Sequence, residues 1–375
     1  MSISTAGTVS SEGVEHRSPA LARLYSLHAD QDIVKDHDGG GEVDLAHPLL
    51  TSIRRAWPAP DGGLICEGYD AAGLLRAGSI DAQGNAWVAP YATDKKLPTL
   101  CPPYEATLAV HRLGKRAVVI GRDEVTKYLR RGKAQGIADA TSVVSRLCER
   151  AGLGSATVTG VGEAHLSFSL LPGRTLHSLA EEGLEGWKTL EEHWPALAEQ
   201  HADLPLHAPE KEAHVLRTWY KHALRHDSVE SLGLLGMAVD EVCAELSDAE
   251  RQSPQDQWVS AHRDLHDKQL LWDGFRLSVL DLDTAARAEA ALDLGNLRAH
   301  MELRMLQGRF PATMRSSLMD TIEVIANTLE VPQQRLATYE KASRLRLAFV
   351  YSFRPSAQQW LADWVEATLS ARWDC

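Results

Sequence analysis

Asp264, Gln269 and Asp281, each with a hard oxygen to offer, fall within one late segment, SAHRDLHDKQLLWDGFRLSVLDLDTAARAEAALDLGN over residues 260–296. Moving a phosphoryl group to a hydroxyl needs a carboxylate that orients the hydroxyl and takes its proton. It also needs oxygen ligands that hold Mg²⁺ against the phosphates of the donor. Magnesium favours hard oxygen donors, so an aspartate and an amide oxygen suit it. In this assignment Asp264 is the base, and Asp281 with Gln269 holds the metal. The phosphoryl donor is ATP, with GTP equally compatible.

The elements around these residues must bring them together. Asp273-Gly274 is a strong hairpin signal between two short apolar runs. A loop that enters this hairpin carries Asp264, Gln269 and Asp281 to one end of the same small sheet. Upstream, the runs 106–112, 116–120, 125–129, 155–160 and 165–170 read as strands, with a helix over 137–151 stopped by Gly152. After Leu171-Pro172-Gly173 the periodicity becomes helical, interrupted only by the hairpin. The expected fold is therefore α+β: a β-rich lobe over 101–173, a helical lobe over 174–375, and the site in the cleft between them. Residues 1–100 form an extension with a small β-containing cap. Turn-rich Asp70–Gly73 and Asp81–Asn85 separate three of its strands. Leu49, Leu50, Ile53 and Trp57 recur at helical spacing, which predicts a short helix over 46–57. Gly39-Gly40-Gly41 makes a flexible break before it.

His262-x-Asp264, the hairpin, Leu280-Asp281-Leu282-Asp283 and Ala291-Leu292-Asp293-Leu294 together resemble the aminoglycoside phosphotransferase and choline kinase branch of the protein-kinase-like superfamily. The resemblance covers roughly residues 105–355. Its catalytic loop is H-x-D-x-x-x-x-N, and Gln269 stands at the Asn position, as in maltokinase-like members. The resemblance implies a two-lobed protein-kinase-like fold and an ATP- and Mg²⁺-dependent activity. It implies that Asp293 holds the catalytic loop. It implies that Lys127, in Val125-Thr126-Lys127-Tyr128-Leu129, meets the α- and β-phosphates; Lys133 is the competing basic residue. The acid that partners this lysine is sought on the next helix, where Asp139 is the one candidate, though it reads equally as a helix-start charge. Gly114 is what remains of a glycine-rich loop. Ser169 and Leu171 fall in the interlobe hinge, where backbone groups meet the nucleobase. His262, His266, Asp283 and Glu302 are candidates for supporting the loop or contacting the acceptor.

Protein kinases carry a long substrate-docking segment after the metal aspartate, ending in A-P-E. Here Asp293 follows Asp281 closely and no A-P-E appears. The acceptor is accordingly a small hydroxyl-bearing molecule of sugar, aminoglycoside or aminocyclitol type. Acidic residues near the cleft would suit a cationic one. A peptide-directed Ser/Thr kinase and a nucleotide-binding pseudokinase are the alternatives.

Bulk properties narrow the setting. A net charge of −12 over 375 residues argues against nucleic-acid binding. Five scattered cysteines without a C-x-x-C pair fit reduced thiols in a cytoplasm. No run is long and apolar enough for a membrane span, and no secretory signal is visible.

Overall fold

The computed structural model describes residues 16–29, 50–248 and 257–371. Three layers of structure follow one another along the chain. The first is a four-stranded antiparallel sheet of β1 (Leu50–Pro58), β2 (Leu64–Asp70), β3 (Leu75–Ile80) and β4 (Ala86–Val88), with helix α1 (Pro19–Ala29) against it. The glycine run 39–41 lies outside the described residues.

The helix expected over 46–57 is a strand from Leu50 onward; residues 46–49 are not described. Its pairing with β2 slips between Leu50 and Ser52 and again between Ile53 and Arg55. Each irregularity moves the inward phase on by one residue. Leu50, Ile53 and Ala56 therefore all face the core at three-residue intervals, which imitates a helical stripe in the sequence.

The second layer is a five-stranded antiparallel sheet in the order β5-β6-β7-β10-β9. Its strands are β5 (Thr107–Arg112), β6 (Arg116–Ile120), β7 (Glu124–Leu129), β9 (Val158–Val161) and β10 (His165–Ser169), with helix α2 (Ala134–Arg150) between β7 and β9. Strand alternation gives this sheet two apolar faces. Leu108, Ala117, Val119 and Tyr128 pack under Leu75 and Leu97 of the cap. Leu129, Leu166 and Phe168 pack on Ala134 and Ala138 of α2. Glu67 joins cap to lobe: it is fully buried, 2.5 Å from Arg55 Nε, and accepts the His111 N–H at 2.8 Å.

The third layer is helical. Strand β11 (Arg174–Thr175) is followed by α3 (Leu176–Leu179), α4 (Leu184–Ala198), α5 (Pro209–His226) and α6 (Leu232–Ser247). After β12 to β15 come α7 (Ala290–Leu306), α8 (Arg315–Thr328), α9 (Gln333–Tyr351) and α10 (Leu361–Ser370). The strands are β12 (Val259–Ala261), β13 (Leu270–Trp272), β14 (Leu277–Val279) and β15 (Ala286–Ala288). β13 and β14 form the expected hairpin, flanked by β11 and by β8 (Gly154–Ser155) in the order β11-β13-β14-β8. The hairpin is thus stitched to the chain leaving the β-rich lobe through β11 and to the segment after α2 through β8. Gly173 is required here. It sits at φ 99°, and a Cβ would come 2.5 Å from the Trp272 carbonyl oxygen.

The helical lobe and the cap are braced together. Phe353, which follows α9, lies in the cap core with Leu21 and Ile53. Ser18 donates its N–H to the His226 carbonyl, and its hydroxyl lies 2.7 Å from His226 Nδ1. No helix among the described residues is long and apolar enough to cross a membrane. Cys66 and Cys148 are buried, which pushes both thiols up to about 12 and leaves them unreactive; Cys375 is not described.

Candidate active site

The loop between β12 and β13 carries His262, Asp264, His266 and Gln269. Asp293, on the first turn of α7, grips the start of this loop. Its two carboxylate oxygens accept the N–H groups of His262 and Arg263, each at 2.7 Å. Burial raises its pKa, while His262 and those N–H groups act in the opposite direction. Arg263 adopts φ 73° under this grip, an uncommon conformation for a residue with a side chain.

His262 then ties the loop to the metal-binding candidates. Its Nδ1 accepts the Asp264 N–H at 3.2 Å, so its Nε2 carries the proton and donates to the Leu280 carbonyl at 2.7 Å. Leu280 immediately precedes Asp281. On the hairpin side, the Leu280 N–H donates to the Gln269 carbonyl at 2.8 Å. Asp264, Gln269 and Asp281 are therefore held in one backbone-linked cluster. Asp264 keeps 46% of its side-chain surface open to solvent, as a base that must meet an outside hydroxyl would.

Asp281 sits at φ 57°, another left-handed non-glycine position. Its Oδ1 receives Lys127 Nζ at 2.6 Å, and Asp283 Oδ2 lies 3.4 Å from the same ammonium. Burial would raise Asp281, but Lys127 and a hydrogen bond from Asp283 outweigh it and hold the carboxyl well below the usual range. Burial and the neighbouring Asp281 push Asp283 the other way, up. Asp283 Oδ1 is buried without a partner. Two adjoining carboxylates with an unused buried oxygen are hard-oxygen donors of the kind Mg²⁺ takes.

The structure does not bring Asp139 to Lys127. Asp139 is exposed on α2 and accepts from Gln135 at 2.8 Å, while the lysine's acids come from the other lobe. Lys133 is exposed at the N-cap of α2. Gly114 sits in the β5–β6 turn at φ 67°. Its N–H donates to Asp94 at 2.6 Å, so that donor is not left for a phosphate, and its carbonyl accepts from Arg130 at 2.6 Å. Ser169 ends β10, its hydroxyl accepting the Thr157 N–H at 3.0 Å. Leu171 follows, beyond a tether from the Leu170 N–H to the Asp123 carbonyl. Glu302 is bound by Arg315 at 2.6 and 3.0 Å and lines a depression with Arg344 and Trp364. It is committed to a C-lobe ion pair rather than free for a cationic acceptor.

Behind the loop lies a buried charge network that sequence reading missed. Asp267 is fully buried and takes the Arg304 guanidinium through both oxygens, at 2.8 and 3.1 Å, with His177 Nδ1 at 2.5 Å. Burial would raise Asp267; His177, His266 and Arg304 together bring it well below the ordinary value. His266 stacks on His300, ring centroids 4.4 Å apart, with its Nε2 3.9 Å from Asp264. His266, Asp267 and His300 are close enough to hold a cation, but Arg304 already supplies the positive charge. The only sequence trace of this network was a histidine and an acid just after Asp264; nothing local marked Arg304 or His177.

The cleft-facing side of the β-rich lobe completes the site. Lys127 pairs across the sheet with Val118, so both point to the same face. Ile120, on that face, is 40% exposed, and Phe168 lies 5.4 Å below the Lys127 ammonium.

No protein-family profile and no curated protein matches this sequence. Similar solved structures include an aminoglycoside phosphotransferase from Streptomyces rimosus. It is 17% identical, over 65% of this chain and 92% of that one, with TM-score 0.47. A glucosamine kinase solved with glucosamine, ADP and inorganic phosphate is 15% identical over 96% and 98%, TM-score 0.44. A choline kinase from Cryptosporidium parvum is 11% identical over 72% and 92%, TM-score 0.45. At this distance the likeness is one of architecture.

Proposed function

We propose that this protein transfers the terminal phosphoryl group of ATP to a hydroxyl of a small molecule. The observation that carries the reading is the meeting of Lys127 with Asp281 and Asp283 across the two lobes, beside the half-exposed Asp264. In this reading Asp264 orients the acceptor hydroxyl and receives its proton. Asp293 and His262 fix where that carboxylate stands by holding the N–H groups of residues 262–264 that lead into it. Lys127 neutralises phosphate oxygens of the bound nucleotide. Val118 and Ile120 roof the base, and the Leu171 backbone borders it at the hinge. Asp281, Asp283 and Gln269 would hold Mg²⁺, whose charge stabilises the phosphoryl group in flight.

A small acceptor is favoured by the chain between Asp281 and Asp293. It makes one turn of 3₁₀ helix over Leu282–Thr284, then β15, and enters α7 at Ala290. β15 is paired to β12, so this stretch is short and ordered instead of forming a long docking segment.

The test is a coupled ADP-release screen with Mg²⁺ and ATP across sugars, aminoglycosides and simple alcohols, with Asp264→Asn as control. Acceptor-stimulated turnover that the variant lacks supports the reading. Tight nucleotide binding with no stimulation by any acceptor would replace it with a binding module.

A further inference from the structure

A phosphate-binding loop usually works through its backbone N–H groups, which point at the anion and cost no side-chain entropy. In the β5–β6 turn two of these donors are already engaged. The Gly114 N–H is spent on Asp94, and the Lys115 N–H on the Arg112 carbonyl at 3.0 Å. Asp94 takes the Gly114 N–H and Arg130 donates to the Gly114 carbonyl, which clamps the turn from both sides.

A side chain stands in the right place instead. Arg116 opens β6 immediately after this turn, paired with Arg112 on one side and Leu129 on the other. It lies two residues before Val118, the cross-strand partner of Lys127, so the alternation of the strand turns it to the same cleft face. Ala117 and Val119, its out-of-phase neighbours, are buried under the cap. Arg116 is exposed, and its charge acts on both Asp281 and Asp283. Arg112, the other cation of this edge, is drawn toward the cap, 4.8 Å from the Trp57 ring. Burial and the like charges of Arg116 and Arg55 lower Arg112 to about 10. Cations therefore crowd this end of the sheet with their nearest cleft acids already bridged by Lys127. Such an arrangement is relieved by a polyanion.

We propose that Arg116 is a nucleotide-phosphate ligand, a guanidinium on the strand that replaces the backbone cradle a longer glycine loop would offer. The inference rests on the kinase reading above. A planar fork of donors matches phosphate oxygens bidentately. With Lys127 it makes a two-cation clamp on the cleft face.

The experiment compares wild type with Arg116→Gln and Arg116→Lys in equilibrium binding of Mg²⁺-ATP, ADP and adenosine. Thermal melts confirm folding, since an exposed residue is being changed. Arg116→Gln is expected to weaken ATP about tenfold while adenosine affinity stays unchanged, and Arg116→Lys to recover part of the loss. Equal ATP affinity in wild type and Arg116→Gln would overturn the assignment, as would parallel losses for ATP and adenosine. If wild type itself binds no nucleotide, the kinase reading falls and takes this inference with it. Those two failures are told apart by the wild-type titration alone.

Discussion

Lys127 Nζ lies 2.6 Å from Asp281 Oδ1, an ion pair that joins the third strand of one lobe to the turn after β14 in the other. The ammonium occupies the ground between two carboxylates, where like charges would otherwise repel. In the proposed reading, nucleotide phosphates would compete for the same cation. We expect Lys127→Met to weaken ATP binding roughly tenfold and to lower kcat further, because positioning and charge are lost together. Binding titrations and initial rates measured on the same preparation check this. An unchanged ATP affinity would move the phosphate site elsewhere.

Asp264 is separated from this pair in function. Asp264→Asn keeps its shape and the backbone grip of Asp293, so nucleotide affinity should stay within about twofold while turnover falls on the order of 10²–10⁴. A variant that retained more than a tenth of wild-type turnover would exclude Asp264 as the base.

Gln269 is tested by metal, not nucleotide. Removing its amide in Gln269→Ala leaves two carboxylates to hold Mg²⁺. The magnesium concentration for half-maximal rate should rise several-fold, about 3–10, by the measure of a lost ligand. A magnesium titration superimposable on wild type would remove Gln269 from the metal site.

The buried Arg304–Asp267 pair bears on stability. Arg304→Met leaves Asp267 charged and enclosed with only histidines beside it, and breaking such a pair costs about 3–5 kcal/mol. Urea melts monitored by tryptophan fluorescence should show it. The catalytic loop should loosen with it, so kcat falls even at temperatures where the variant is folded.

His226 sets a pH dependence at the cap. Burial, with His222 and Arg225 near it, lowers its pKa to about 4 from the ordinary value of 6.5. Because the folded value is the lower one, this histidine favours the folded state above the unfolded pKa. That contribution is lost as pH falls from about 6.5 toward about 4. Between pH 7 and pH 5 the protein should lose roughly 1 kcal/mol that His226→Asn does not lose. Parallel melts of the two proteins at both pH values decide it. Equal losses would assign the acid sensitivity to other groups.

Most of the site's raw chemistry was legible because it is local. The His262–Asp264 spacing, the Asp273-Gly274 turn and the Asp281–Asp283 doublet lie on one continuous stretch, and a hairpin needs no distant partner to be read. The alternation of strands and the later helical stripes were equally local, so the α+β architecture of a β-rich part before a helical part could be read from periodicity. Periodicity failed where its phase was broken: the bulges of β1 gave a strand the spacing of a helix.

What the sequence could not decide was partnership. Lys127 and Asp281 lie far apart in the chain, and nothing near either one indicates that the lysine's acid comes from the other lobe rather than from Asp139. Arg304 looks like any helical arginine until packing encloses it with Asp267. Glu302 looked available until Arg315 took it. Gly114 looked like a phosphate loop until Asp94 and Arg130 claimed its backbone. The sequence by itself determined which reactive groups exist and which of them a short loop must hold together. Only the tertiary structure decided which charges are already satisfied. An ion pair's worth depends on distance and burial, and chain separation encodes neither.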